Sequence, residues 1–447
     1  MRARSIRSAA VLAALVLMAA ACSSSSKSSG SSGTTGASGA SGANTASAKG
    51  VTADTIKLGL SYPDLAALAK TGLIKVDNGD YQKIGQVLVD DINKNGGVNG
   101  RKIELSFAPY SVLQATAQTA ACVKLTEDEK VFMILGGFIG DNNLCAIQQH
   151  QTPVIFGYGA GFNNIILGKA KAPFTTFEAS DERSTGALVK ILDDSGDLKG
   201  KTIGIYGTLS ASKPLIDLTK KDLENAGLTV KDTAINDVDP SDSAAFNAQD
   251  KVIGNRFKDE GIDAVFVQVT VPPGTNWDAV GFHPTMYSPQ TSLITSGSFT
   301  NGYSKFPLVA GLQATGNTQA SLDTAAMKHC TDVWKAATGQ TVLTQEEETK
   351  NSKSTGFAAM STTCSALQMF IAGAKAAGAN LTPDTWLKGL EDVGKIELAA
   401  APQASFAPNK PDGQDSFQLM QYNKQYVPGG SGVQQMLPVG QPIQFTG

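Results

Sequence analysis

Apolar positions along this chain switch repeatedly between strand-like runs and helical spacing. TIKLGLSY (55–62) is a short β-rich run. After a long loop, Tyr81, Ile84, Leu88 and Ile92 recur at helical spacing and share one face. Gly96 and Gly97 stop that helix, Gly100 turns the chain, and a strand over 101–110 follows. The alternation continues with a helix around 112–129, strand VFMILGG (131–137), a helix around 141–149 and strand TPVIFGYG (152–159). Beyond FTTFEAS (174–180) a second series begins with a helix over 181–194 and strand KTIGIYG (201–207). Next come a helix N-capped by Ser212 with Leu215, Leu218 and Leu223 inward, strand LTVKDTAI (228–235), a helix over 243–260 and strand DAVFVQV (263–269). A long irregular segment leads to strand SLITSG (292–297). Helices near 321–337, 354–377 and 383–391 precede a Pro/Gly-rich tail of short strands. Strands alternating with helices form parallel sheets with right-handed crossovers, so the fold class is α/β with two doubly wound units.

In such sheets ligands bind beyond the carboxyl ends of strands. Those ends are Tyr62–Asp64, Gly136–Asn143, Phe156–Gly161, Gly207–Ser212, Thr270–Trp277 and Ser296–Thr300. They are rich in Gly, Asn and Ser with aromatic residues among them, which suits a small polar or amphipathic solute. The expected ligand contacts are Phe138, Asp141 and Asn142, then Tyr158 and Gly159, Ser210, Trp277 as a cleft wall, and Ser298. Simple packing competes with the cleft role for Trp277, and helix capping competes for Asp141. Tyr81 either anchors its helix or reaches the ligand. Trp334 and Trp386 lie in amphipathic helices and are expected in the core.

The N-terminus carries a different signal. Arg2, Arg4 and Arg7 precede an uninterrupted apolar run from Ala9 to Ala21, the order of a secretory signal. Its helical length of about 20 Å falls short of a roughly 30 Å hydrocarbon core. Small residues before Cys22 resemble a bacterial lipobox, with Ala19 where Leu is usual. Cleavage after residue 21 and lipidation of Cys22 would hold the protein at a membrane surface. Residues 23–50, almost all Ser, Gly, Ala, Thr and Asn, read as a disordered tether. With 37 basic and 40 acidic residues, the chain shows no basic excess that would recommend nucleic acid.

The segments VTADTIKLGLSYP, DDINKNGGVNGRKIELSFAPYSVLQATAQTAACVKLTEDEKVFMILGG and TPVIF resemble the leucine/isoleucine/valine-binding type of solute-binding lipoproteins of ABC transporters, the type I periplasmic binding proteins. The pattern DIN-x-x-GG-x-NGRKIEL is the most specific element, and the resemblance covers residues 51 to about 275. It implies two lobes joined by a three-strand hinge, a solute closed between them, and delivery to an ABC permease in the membrane. The expected lobes are 51–177 with about 308–400, and 178–307 with about 401–447, after a signal peptide (1–21) and a lipidated linker (22–50). The family's amino-acid clamp, hydroxyls after the third and fourth strands and an acid in the second lobe, is not matched by GGFIGDNN, FGYGAGF and TSGSFTNG.

Four cysteines remain after Cys22: Cys122, Cys145, Cys330 and Cys364. An even count in an exported chain favours disulfides, with three connectivities open. Cys122 and Cys145 lie on successive helices flanking one strand, where relatives often pair cysteines, and Cys330 and Cys364 lie on two later helices. Zinc is the alternative, but the three histidines form no ligand spacing with them. No H-E-x-x-H or G-x-S-x-G is present, and GDLKGKT (196–202) has its glycines too close for a P-loop and reads as a turn. The run Glu346–Glu348 reads as a solvated loop or helix start. The expectation is therefore a monomeric, cofactor-free, non-enzymatic receptor outside the cytoplasm, with a signalling receptor and a cell-envelope hydrolase as competitors.

Overall fold

A computed structural model of the chain describes residues 43–65, 78–112, 114–157, 161–239, 242–268, 273–289, 305–314, 322–344, 347–348, 351, 353–422 and 436–446. The apolar N-terminal run, Cys22, Tyr158, Gly159, SLITSG, Ser298 and Glu346 lie outside them.

The chain begins with β1 (Thr55–Pro63), α1 (Tyr81–Lys94), β2 (Lys102–Tyr110), α2 (Ala115–Val123), β3 (Met133–Gly136), β4 (Val154–Phe156), α3 (Asn164–Leu167) and β5 (Phe174–Thr176). The five strands are parallel in the order β2-β1-β3-β4-β5. It continues through α4 (Asp181–Ser195), β6 (Ile203–Thr208), α5 (Lys213–Asn225), β7 (Val230–Asn236), α6 (Ser243–Asp259), β8 (Ala264–Gln268), α7 (Gly274–Ala279), β9 (Thr285–Ser288) and β10 (Val309–Ala314). Helices α8 (Ala325–Thr338), α9 (Phe357–Ala377) and α10 (Pro383–Val393) then return to the first sheet. The short pair β11 (Lys395–Ile396) and β12 (Ala404–Ser405) precedes β13 (Ser416–Tyr422) and β14 (Met436–Gln444). The second sheet runs β14-β13-β10-β9-β8-β6-β7, with β13 and β14 antiparallel on one edge.

Each sheet is covered on both faces, as parallel strands require. One core joins the first sheet to α1, α8, α9 and α10, and another fills its opposite face around Cys122, Phe138 and Phe156. Trp334 and Trp386 belong to the first of these, as expected. Helix α9 is long and apolar enough to cross a membrane by composition, yet most of it is buried inside the protein, so it reads as a core helix.

The pattern DIN-x-x-GG-x-NGRKIEL is a clamp. Asn93 donates to the Ile103 carbonyl at 2.9 Å and accepts from the Ile103 amide at 2.7 Å, fastening the end of α1 to β2. Asn99, at φ 50°, donates to the Ala374 carbonyl in α9 at 2.9 Å. Arg101 is 1 % exposed and donates only to carbonyls, those of Thr52 (2.8 Å), Thr45 (3.0 Å) and Ala379 (2.7 Å). A Cβ on Gly97 would lie 2.0 Å from the Arg101 carbonyl oxygen.

Several expectations are corrected. Residues 43–50 are not free tether: Ser47 donates to the Leu381 carbonyl at 2.7 Å and Lys49 to the Thr152 hydroxyl at 2.8 Å. Strand β9 lies within the segment read as irregular, because TMYS is too short to show alternation. The helix expected around 112–129 is α2 followed by a π-helical turn, Lys124–Asp128. That around 141–149 is a 3₁₀ turn, Gly140–Asn142, followed by a π-helical segment, Cys145–Gln149. In α5 the inward face is Ile216, Thr219 and Leu223, so Leu215 and Leu218 are out of phase. Ser212 occupies the N-cap position, but its hydroxyl donates to the Leu209 carbonyl instead of capping. Glu348 is buried, accepting from the Thr355 amide, the Thr355 hydroxyl (2.6 Å) and the Phe357 amide (3.0 Å), where it orders the entry to α9. Disulfides join Cys122 to Cys145 and Cys330 to Cys364, and loops of 23 and 34 residues contribute about 3–4 kcal/mol each by chain entropy.

The two neighbouring glycines give a discriminating prediction. Gly96 and Gly97 both have positive φ, 96° and 70°, but a Cβ on Gly96 meets nothing within 4 Å. Gly96→Ala should cost about 1–2 kcal/mol of backbone strain, and Gly97→Ala distinctly more because the clash adds to it. Urea unfolding midpoints measure both, and equal losses would contradict the clamp.

Candidate functional site

The site is assembled from loops at the carboxyl ends of strands. Near the end of β1, the Ser61 hydroxyl donates to the Gly137 carbonyl at 2.8 Å, tying the first strand to the loop after the third. That loop turns at Gly137 (φ 78°), where a Cβ would lie 2.9 Å from Asn143 Oδ1. Asn143 is fully buried, accepts from the Phe138 amide at 2.8 Å and donates to the Phe138 and Gly140 carbonyls. Gln118 of α2 accepts from the Ile139 amide at 2.8 Å. Gly161, after β4, approaches so closely that its Cβ would sit 2.9 Å from the Gly140 amide nitrogen. The loops after β3 and β4 are thus in contact.

The expected site residues divide on this frame. Asp141 is exposed and Asn142 half-buried on the 3₁₀ turn, where Asn142 donates to the Ile139 carbonyl at 2.9 Å. Ser210 is exposed after β6, and its amide and hydroxyl both donate to Asp237 at 2.8 and 2.7 Å. Phe138 is corrected to core: it is 0 % exposed and its ring packs against Tyr110. Trp277 is likewise core and no cleft wall. It is 0 % exposed, packs on Tyr206, Phe257 and Phe282, and donates to the Asp250 carbonyl at 3.1 Å. Gly254 makes room for it, since a Cβ there would lie 2.7 Å from the indole.

Asp250 beneath Trp277 has a carboxyl raised by burial, opposed by hydrogen bonds from Tyr206, Asn236 and Asn276. Those three donors satisfy a buried anion without a cation, which makes this a structural network. Cys122, Cys145 and His150 bring possible metal-ligand atoms within 4.8 Å of one another, but both sulfurs are spent in the disulfide. A disulfide offers no thiolate to a metal.

Residues missed in the sequence govern the passage between the sheets. The chain crosses from the first sheet to the second between Thr176 and Asp181, and again before Ser416. Arg183, in the first turn of α4, joins these crossings. Its guanidinium pairs with Asp412 and Asp415 at 2.9 Å each and donates to the carbonyls of Asp412 (3.2 Å), Gln414 (2.6 Å) and Phe445 (2.5 Å). Asp412 also accepts from the Ser180 amide at 2.7 Å. Lys410 pairs with Asp415 at 3.0 Å, its ammonium lowered from the usual lysine range by burial and by Arg183. Nearby, Glu182 accepts from the Asn164 amide at 2.9 Å, joining α4 to the start of α3, and burial raises its carboxyl. Alternating acids and a lysine in NKPDGQDS (409–416) were a signal, though nothing local paired them with Arg183.

The described residues also enclose an open cavity of about 720 Å³ beside the carboxyl end of β1, bordered by Tyr62, Asp64, Asp80, Tyr81, Trp334 and Ser354 among others. Tyr62 and Tyr81 stack there with centroids 5.1 Å apart. Burial raises the Tyr62 phenol, and the Asp80 and Asp64 carboxylates add to the effect.

Comparison with known proteins agrees with this architecture. The family described as periplasmic binding protein matches residues 55–426, and the chain belongs to that family, with its type I α/β fold. Among solved structures, a Desulfitobacterium hafniense ABC transporter substrate-binding protein in complex with Leu has a TM-score of 0.58 at 14% identity, covering 86% of this chain and 100% of its own. A solute binding protein of an ABC transporter from R. palustris, in complex with 4-hydroxybenzoate, has a TM-score of 0.62 at 14% identity, covering 88% and 98%. A fatty acid ABC transporter substrate-binding protein from Thermomonospora curvata has a TM-score of 0.58 at 16% identity, covering 89% and 94%. A search of curated proteins returned no match.

The Arg183 cluster yields a stability prediction. Arg183→Met strands two buried carboxylates and should cost about 3–5 kcal/mol, while adding Asp412→Asn should restore part of the loss. Chemical denaturation reads both, and a single variant as stable as the parent would contradict the assignment.

Proposed function

We propose that this protein is a lipid-anchored extracytoplasmic receptor that captures a small polar or amphipathic solute between two lobes and presents it to an ABC permease. The observation that carries the reading is the family membership across residues 55–426, joined to strand-end loops that meet near the crossings between two sheets. The lobes are 51–177 with about 308–400 and 178–307 with about 401–447. Asp141, Asn142 and Ser210 are its exposed or half-exposed polar contacts, with Tyr158, Gly159 and Ser298 completing the set. Structural relatives carry leucine, 4-hydroxybenzoate and the designation fatty acid, so the fold accommodates solutes of different chemistry. The signal-like run, Cys22 and the Ser/Gly-rich segment supply export and anchorage. Binding without covalent chemistry follows from the family's role and from a site made of amides, hydroxyls and one carboxylate.

Small-angle scattering on the chain, as purified and after its bound small molecules are stripped, tests lobe closure. The radius of gyration should fall when solute is restored, and an unchanged radius under saturating solute would contradict it. Asp141→Ala together with Ser210→Ala should weaken solute binding by about tenfold or more, read by calorimetry.

A further inference from the structure

We propose that the Cys122–Cys145 pair has a second closure: as thiols, before the disulfide forms or after it is reduced, the two cysteines and His150 bind a thiophilic metal ion, zinc. This goes beyond solute capture and does not rest on it. The two sulfurs and a His150 ring nitrogen lie within 4.8 Å of one another, and all three residues are described. Zinc–sulfur bonds of about 2.3 Å and a zinc–nitrogen bond of about 2.0 Å place such atoms roughly 3.5–3.8 Å apart, so small side-chain rotations complete the set.

Backbone geometry brings the group together. Among the described residues the two π-helical segments, Lys124–Asp128 and Cys145–Gln149, both border it. The wider turn returns His150 to Cys145, its amide donating to the Cys145 carbonyl at 3.0 Å, five positions back. The segment after Cys122 carries Glu127 to His150, with a carboxylate oxygen 2.6 Å from Nδ1. A carboxylate on the imidazole is the partner that orients ligating histidines. Single π turns are frequent at functional sites. Cys122 and Cys145 are 0 % and 7 % exposed while the His150 side chain keeps 23 %, so an ion reaches the thiols past the imidazole. Two thiolates and an imidazole select zinc over magnesium or calcium, which take oxygen ligands. The two thiolate charges neutralise the ion, and water fills its fourth position. Binding breaks two S–H bonds, forms two Zn–S bonds and releases two protons, with no electron transferred. The Cys330–Cys364 pair gathers no third ligand among the described residues, which makes it an internal control.

The test uses the intact chain carrying Cys22→Ser, so that no thiol outside the two pairs competes, reduced with a phosphine. In that reduction each S–S bond takes up two electrons and two protons to give two thiols, and the phosphine becomes its oxide with oxygen from water. Competition with a chromophoric chelator should give the reduced chain one zinc site with Kd below about 1 µM, at least about a hundredfold tighter than the oxidised chain. His150→Ala and Glu127→Gln should each weaken it about tenfold or more, whereas Cys330→Ala with Cys364→Ala should leave it unchanged. Zinc should raise the melting temperature of the reduced chain alone, which reads the site even where reduction loosens the fold. During reoxidation, zinc should slow closure of Cys122–Cys145 about tenfold or more and leave Cys330–Cys364 unaffected, read by alkylation and mass spectrometry. Equal affinity in the oxidised and reduced chains, parental affinity in His150→Ala, no zinc-dependent melting shift, or equal slowing of both pairs would overturn the proposal.

Discussion

One guanidinium holds the two sheets in their mutual arrangement. Arg183 sits where the chain first leaves the five-stranded sheet, and its partners Asp412 and Asp415 lie where the chain crosses for the last time. The side chains of all three are almost wholly shielded from water, so each charge depends on the others. The planar fork of arginine satisfies two carboxylates and three carbonyls at once, which the point charge of lysine would not do. Lys410 completes the neutralisation of Asp415. The two crossings are thereby fixed to each other at one point.

Away from that point the first sheet is built for rigidity. Arg101, Asn93 and Asn99 tie the end of α1 to β2, to the segment at Thr45–Thr52 and to the far end of α9. Each disulfide joins helical segments packed on the same sheet. These ties run from strand to helix on both faces of the sheet that carries the strand-end loops. The cavity beside β1 is lined, among the described residues, by the first sheet and the helices packed on it.

Period and punctuation made the regular elements legible. The apolar face of α1, the glycine stops and the alternation of strands with helices follow from local rules, and the α/β architecture followed from them. What escaped depends on distant partners. Phe138 and Trp277 stand at strand ends like ligand contacts, but neighbouring aromatic rings bury them. Glu348 sits in an acidic run that looks solvated, yet three donors from Thr355 and Phe357 draw it inside. The π-helical segments bearing Cys145 and following Cys122 have no simple period to read. Arg183 was invisible as a hub because its partners are more than 200 positions away, with sequence separations of 229 to 262.

The central proposal is that loops from both sheets trap solute about the Arg183 cluster. Hydrogen exchange of the chain, as purified and after its small molecules are stripped, reads this most directly. Bound solute should protect amides in 137–143 after β3 and in 209–212 after β6 together, with the segment around Arg183 unchanged. Protection confined to the loops of one sheet, or spread through the Arg183 segment instead, would contradict it.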